Sequence, residues 1–169
     1  HAASLSLHEH TMSITLSSAS LPVFQTALSN LLHCLKKAEA NAAARKFDPN
    51  VFVTMRLAPD MLPFAAQIRI ACDAAKNGTA RLAGIEAPKF DDNETTFAEL
   101  QARVRKTLDW LATVPASAID GREAAEITFP VGRDKTRTMT GEAYLKHWAL
   151  PNLFFHVTTA YALLRHNGV

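Results

Sequence analysis

His147-Trp148-Ala149-Leu150-Pro151-Asn152-Leu153-Phe154-Phe155-His156-Val157-Thr158-Thr159-Ala160-Tyr161-Ala162-Leu163-Leu164-Arg165 is the stretch whose reading decides the fold. It has a helical pattern and is apolar on almost every side, as expected of a helix that runs through the middle of a core. Leu145, Ala149, Asn152, His156, Ala160 and Leu163 fall close to one line at helical spacing, so an asparagine and a histidine interrupt an apolar stripe one turn apart. A histidine so placed must satisfy both ring nitrogens, which a metal, an acid, a tyrosine hydroxyl or a buried water can each do. His147 lies on the opposite side of the helix from His156. Pro151 cannot donate to the His147 carbonyl and should kink the helix one turn before His156.

The segment before this helix has a different period. Glu126-Ile127-Thr128-Phe129-Pro130-Val131, a polar turn Gly132-Arg133-Asp134-Lys135, and Thr136-Arg137-Thr138-Met139 read as a short β-hairpin. Pro130 marks an edge strand, and a lone ribbon must lie against helices to be stable. Thr140 can cap the last helix. Upstream, Thr96-Phe97-Ala98-Glu99 has the form of a capping box and opens a third helix, with Phe97, Leu100, Val104, Leu108 and Leu111 on one face to about Val114. Leu82 to Asn93 reads as a long loop.

A second helix is expected from Pro59 to about Lys76, ended by Asn77-Gly78, with Met61, Phe64, Ala65, Ile68, Cys72 and Ala75 as its core stripe. On that boundary Asp60 and Gln67 stand two turns apart at the border of the stripe. Leu62, Ala66 and Ile70 form a second apolar strip at its back, calling for cover by a loop or another subunit. The first helix runs from about Ser20 to Arg45 on Phe24, Leu28, Leu31, Leu35 and Ala38, with Pro22 in its first turn and His33 facing solvent. Four helical segments with one ribbon before the last amount to an all-α four-helix bundle with a small β-hairpin.

The 169 residues suit one domain over residues 12–169, with residues 1–11 read as an added remnant or a disordered arm that holds His1, His8 and His10. Hydrophobic residues make up 48% and charged residues 20%, a globular composition. The net charge of +2 is too balanced for a nucleic-acid or anionic-membrane surface, and no apolar run approaches the ~20 residues of a membrane span. Cys34 and Cys72 sit singly in helical patterns and read as small buried hydrophobes in a reducing cytoplasm.

No glycine-rich phosphate loop, nucleophile elbow, Cys-x-x-Cys, His-Glu-x-x-His or Glu-x-x-His is present. What remains is the polar notch in the last helix, with Asp60 as the natural partner for His156 and Arg56 and Gln67 able to extend the patch. An acid at Asp60 also suits the dipole of a helix first turn.

Arg56-Leu57-Ala58-Pro59-Asp60-Met61-Leu62-Pro63-Phe64, with Gln67 and Ile70-Ala71-Cys72-Asp73, resembles helix two of the proteins numbered 1993 among the domains of unknown function. The ending Phe155-His156-Val157-Thr158-Thr159-Ala160-Tyr161-Ala162-Leu163-Leu164-Arg165-His166-Asn167-Gly168-Val169 resembles that family's other signature. The family is similar to the DinB-like superfamily of four-helix bundles, many of them metalloenzymes, some thiol-dependent transferases. That resemblance implies a metal held by one histidine from helix two and a His-x-x-x-His pair on the last helix. His156 matches the first of the pair, Ala160 stands at the second, and helix two offers Asp60 or Gln67.

Two function classes follow. One is a non-catalytic small-ligand-binding or structural bundle with a degenerate metal site, its ligand set Asp60, Gln67, Asn152 and His156. The other is a metal-dependent enzyme of transferase or hydrolase type, with His156 and Asp60 as metal ligands and an open position for water or substrate. The cofactor is either none or a divalent metal. The partners expected are a second copy of the chain in a homodimer and a small molecule, with no nucleic acid and no membrane, in the cytoplasm.

Overall fold

The computed structural model describes residues 13–169, so the reading of residues 1–11 as a remnant or arm lies outside the described residues. α1 (Leu21–Ala44), α2 (Phe64–Ala83) and α3 (Phe97–Leu111) come first, with a short 3₁₀ turn at Pro49–Phe52 between α1 and α2 and another at Ala116–Ala118 after α3. An antiparallel hairpin follows, β1 (Glu126–Pro130) with β2 (Thr136–Thr140), in the register Glu126 to Thr140 and Pro130 to Thr136. The last helix is a continuous rod of three parts: α4 (Gly141–Tyr144), a π-helical turn (Leu145–Ala149) and α5 (Leu150–His166).

Around the bundle α1 packs against α3 and α5, and α2 against α3 and α5, so α1 and α2 lie across its diagonal although they follow one another in sequence. One core joins all four helices, with Phe24, Leu28, Leu31, Leu35 and Ala38 of α1 and Leu153, Ala160 and Leu163 of α5 buried in it as their spacing requires. Thr96 and Glu99 form the reciprocal capping box that opens α3. Thr140 caps α4 by accepting from the Ala143 N–H. In β1, Ile127 and Phe129 turn inward while their neighbours face out. Phe129 packs on Tyr144 and Trp148 at 4.9 Å between centroids in each case, and this docks the ribbon on the start of the last rod.

Two local expectations are corrected. α2 neither begins at Pro59 nor ends at Asn77-Gly78. Pro63 holds Leu62 out of the helical region, and residues 55–63 fold back so that Met55 and Val53 carbonyls accept from the Phe64 and Ala65 N–H groups that open the helix. At the other end, Gly78 is a packing glycine. A Cβ there would stand 3.3 Å from Phe24 and 3.4 Å from Ala149, so the residue lets α2 approach its neighbours and the helix continues to Gly84, which caps it at φ 67°.

Pro151 also acts differently from a simple kink. The rod widens ahead of it into the π turn, where the Leu150 N–H reaches back to the Leu145 carbonyl five residues away. Widening makes room for the pyrrolidine ring without ending the helix. The Asn152 carboxamide donates to the Trp148 carbonyl at 2.7 Å, which serves one acceptor in the distorted turn.

Candidate functional site

Gln67, in the second turn of α2, is brought against His156 of α5. His156 Nδ1 lies 2.8 Å from Gln67 Oε1, and both side chains are buried. The Gln67 nitrogen donates to the Leu62 carbonyl at 3.2 Å, and this bond sets which end of the carboxamide faces the histidine. Gln67 Oε1 is therefore an acceptor, His156 carries its proton on Nδ1 as donor, and Nε2 is a bare lone pair with no partner among the described residues. Burial pushes the His156 pKa below its ordinary value of 6.5, which keeps the ring neutral near pH 7. Phe155 stands edge-on to it at 5.0 Å between centroids.

Asp60 takes no part in this. With α2 starting at Phe64, Asp60 falls in an exposed turn outside the helix and makes no hydrogen bond or ion pair to His156. Arg56 turns back to the Met61 carbonyl in the same loop. His147 is exposed, away from His156. Asn152 is one turn from His156 but belongs to a separate cleft. Ala160, where the resemblance places a second histidine, is fully buried. Among the described residues no three His, Cys, Asp or Glu side chains come close enough together to hold a metal ion.

The cleft that contains Asn152 lies between α2 and the last rod and has a volume of about 190 Å³. From α2 it takes Ile70, Asp73, Asn77 and Arg81, which share one face at helical spacing. Tyr144 and Trp148 close the other side, above Ala149. Arg81 donates to the Tyr144 hydroxyl at 3.0 Å and lies over the Phe129 and Tyr144 rings at 5.5 and 5.9 Å. Burial raises the Tyr144 pKa, opposed by Arg81, so the hydroxyl stays protonated. Sequence reasoning missed Asn77 and Arg81 because it ended the helix at Lys76. The signal that reveals them is the spacing Asp73, Asn77, Arg81, which is meaningful only once the helix runs to Gly84.

Two other polar groups have structural work. Arg103 of α3 is buried and holds Asp73, Asp92 and Glu94 at 2.8–3.0 Å, which pins the loop after α2 to the bundle. Cys72 lies in the core, where burial pushes its thiol up to about 12 and keeps it protonated and inert.

The family model described as a domain of unknown function (DUF1993) matches residues 16–169. The chain belongs to that family. A crystal structure of a DinB family member from Shewanella denitrificans is 42% identical to it, covers 91% of this chain and 86% of its own, and superposes with a TM-score of 0.82. No curated protein matches the chain. The fold expected from the sequence, a DinB-like four-helix bundle with a hairpin before its last helix, is thereby the fold of the family. Among the described residues no helix is long and apolar enough to cross a membrane.

Proposed function

We propose that this family member is a non-catalytic small-molecule-binding bundle, with its ligand in the cleft between α2 and the last rod. The observation that carries the reading is a set of unspent polar groups around one concave surface: the Asn77 carboxamide, the Asn152 carbonyl oxygen and most of the Arg81 guanidinium have no partner among the described residues. These groups are half-buried and reachable from solvent, and a few polar groups converging on one concave surface free of internal partners can engage a ligand from outside. His156 and Gln67 act beside it as a bridge that holds α2 against α5, with a metal position reduced to one histidine. We further read the protein as cytoplasmic and homodimeric. The dimer is supported by the exposed apolar side chains Leu62, Phe154, Phe155 and Tyr161.

A fragment screen by ligand-observed NMR tests the binding reading, with Ala74→Met as a plug, since Ala74 is half-buried in the cleft wall. Hits that vanish with the plug support it, and hits indifferent to the plug place the ligand elsewhere. The rival, a metal-dependent enzyme built on His156 and Asp60, draws on the bare Nε2 of His156, whose Nδ1–H is held by an acceptor as in metal-ligating histidines. Metal analysis of a chain freed of His1, His8 and His10 decides it. One equivalent of divalent metal lost on His156→Ala supports the metal site on which that rival rests, and none after reconstitution removes it.

A further inference from the structure

Arg81 is a half-buried cation at the cleft, and like Arg69 and Arg122, which donate to the Asp92 and Leu82 backbone carbonyls, it has no carboxylate partner among the described residues. Arg103 and Lys76, by contrast, each have a carboxylate within 3.1 Å. The Arg81 guanidinium lies 5.5 and 5.9 Å from the Phe129 and Tyr144 ring centroids and donates one bond to the Tyr144 hydroxyl. The aromatic contact offsets part of the cost of withdrawing the charge from water, and it orders the side chain before any ligand arrives. Arg81 lines the cleft, and the donors it does not give to Tyr144 belong to a planar fork that matches two oxygens of one acid group.

The rest of the cleft narrows the choice. Its volume of about 190 Å³ lies below the roughly 300–1,000 Å³ of ordinary ligand clefts, so the occupant is small. Ile70 and Ala149 give an apolar floor, and Trp148 an aromatic wall. Asn152 has spent its amide nitrogen on the Trp148 carbonyl, so it offers only an acceptor oxygen to a ligand. Asp73, already held by Lys76 and Arg103, places negative charge at the end away from Arg81 and opposes a second acid group there.

We propose that this cleft binds a small monocarboxylate with a hydrogen-bond donor at its far end, the carboxylate forked on Arg81 and the donor directed to Asn152. This rests on reading the cleft as the binding site and adds the chemical class of what it takes.

The test is a titration of the full chain carrying Trp110→Phe, so that Trp148 is the sole tryptophan and reports from the cleft wall, repeated by calorimetry on the unsubstituted chain. The probes are 4-hydroxybutyrate, its neutral amide, succinate, and 4-amino-1-butanol as a cation. The expected result is a saturable change with 4-hydroxybutyrate, and binding weaker by about tenfold or more for the amide, because a charge-assisted fork is lost. Succinate and the cation are weaker still. Arg81→Lys weakens the carboxylate by about tenfold. Asn77→Asp, which sets a carboxylate one turn from Arg81 on the same face, abolishes binding while circular dichroism stays unchanged. Equal binding of amide and carboxylate, preference for the cation, or carboxylate binding that survives both variants overturns the chemical class and leaves the cleft as a binding site. Silence with all four probes also overturns the class, and the fragment screen with the Ala74→Met plug then decides the cleft reading separately.

Discussion

Replacing Gln67 by Met tests the bridge between α2 and α5 and does so with a worked magnitude. Gln67 is 2% exposed and His156 9%, so water does not readily take the place of a lost partner. The substitution preserves length and apolar stem, so the packing change is small. It removes the acceptor at 2.8 Å and strands the His156 Nδ1–H, a loss worth about 1–3 kcal/mol for a buried donor. The Leu62 carbonyl also loses its donor, but Leu62 is exposed and solvent replaces it. A net destabilisation of about 2 kcal/mol follows, which at about 2–4 °C per kcal/mol for a chain of this size lowers the melting temperature by roughly 4–8 °C. His156→Leu is costly for the converse reason, since it leaves the Gln67 oxygen unpaired. The double variant removes both partners together and should be more stable than the two single costs predict, by about 1–2 kcal/mol. Urea unfolding followed by far-UV circular dichroism, at constant m-value, gives all four corners of the cycle. Additive single costs, or a Gln67→Met variant within about 0.5 kcal/mol of the parent, would refute the bridge.

Three further outcomes follow from the structure. The His156 pKa is lowered in the fold, so between its folded value and 6.5 the unfolded chain binds more protons than the native one. Stability is therefore full above about 6.5 and declines as pH falls through the folded value. The lowered carboxylates Glu99, Asp120 and Glu142 act only at more acid pH, so urea unfolding between about pH 7 and 5 isolates a slope that His156→Leu abolishes. Arg103→Met leaves Asp92 and Glu94 without their cation and Asp73 with Lys76 alone, and should cost about 3 kcal/mol, with faster amide exchange in residues 85–95 as its local sign. At Gly141, whose N–H donates to the Ala125 carbonyl, a Cβ would sit 2.3 Å from the Arg122 carbonyl oxygen. Gly141→Ala is thus expected to cost about 3 kcal/mol in thermal or urea unfolding. Gly78→Ala, with contacts of 3.3 and 3.4 Å and a helix-propensity gain of about 1 kcal/mol, should be near neutral.

The fold was legible where a local rule and the tertiary structure agree. The stripe Phe24, Leu28, Leu31, Leu35, Ala38 is buried as spaced, Thr96 and Glu99 cap α3, and the change of period after Ala125 is the hairpin. Reading failed where a tertiary contact reverses a local preference. Asn77-Gly78 has the composition of a helix end, yet Gly78 lies inside the helix at a close packing point, where a Cβ would meet Phe24 at 3.3 Å and Ala149 at 3.4 Å. Pro59 has the position of a helix start, yet Pro63 is the residue that sets it. Those two boundaries govern the site. A helix starting at Pro59 puts Asp60 beside Gln67 and makes the acid the obvious partner of His156, whereas the true start leaves the amide to serve the ring. A helix ending at Lys76 hides Asn77 and Arg81, and with them the cleft. Asn152 was singled out for its place beside His156, but the π turn before Pro151 commits it to the Trp148 carbonyl and to the cleft.

The most direct test of the account is a side-chain ¹H–¹⁵N NMR spectrum of the full chain, recorded alone, with 4-hydroxybutyrate, and with zinc. The account predicts a neutral His156 ring with its proton on Nδ1 in all three samples. It also predicts that 4-hydroxybutyrate moves the Trp148 indole and the Asn77 and Asn152 carboxamide signals. A His156 ring that shifts with one equivalent of zinc, while the cleft signals stay still in the presence of the carboxylate, would contradict it.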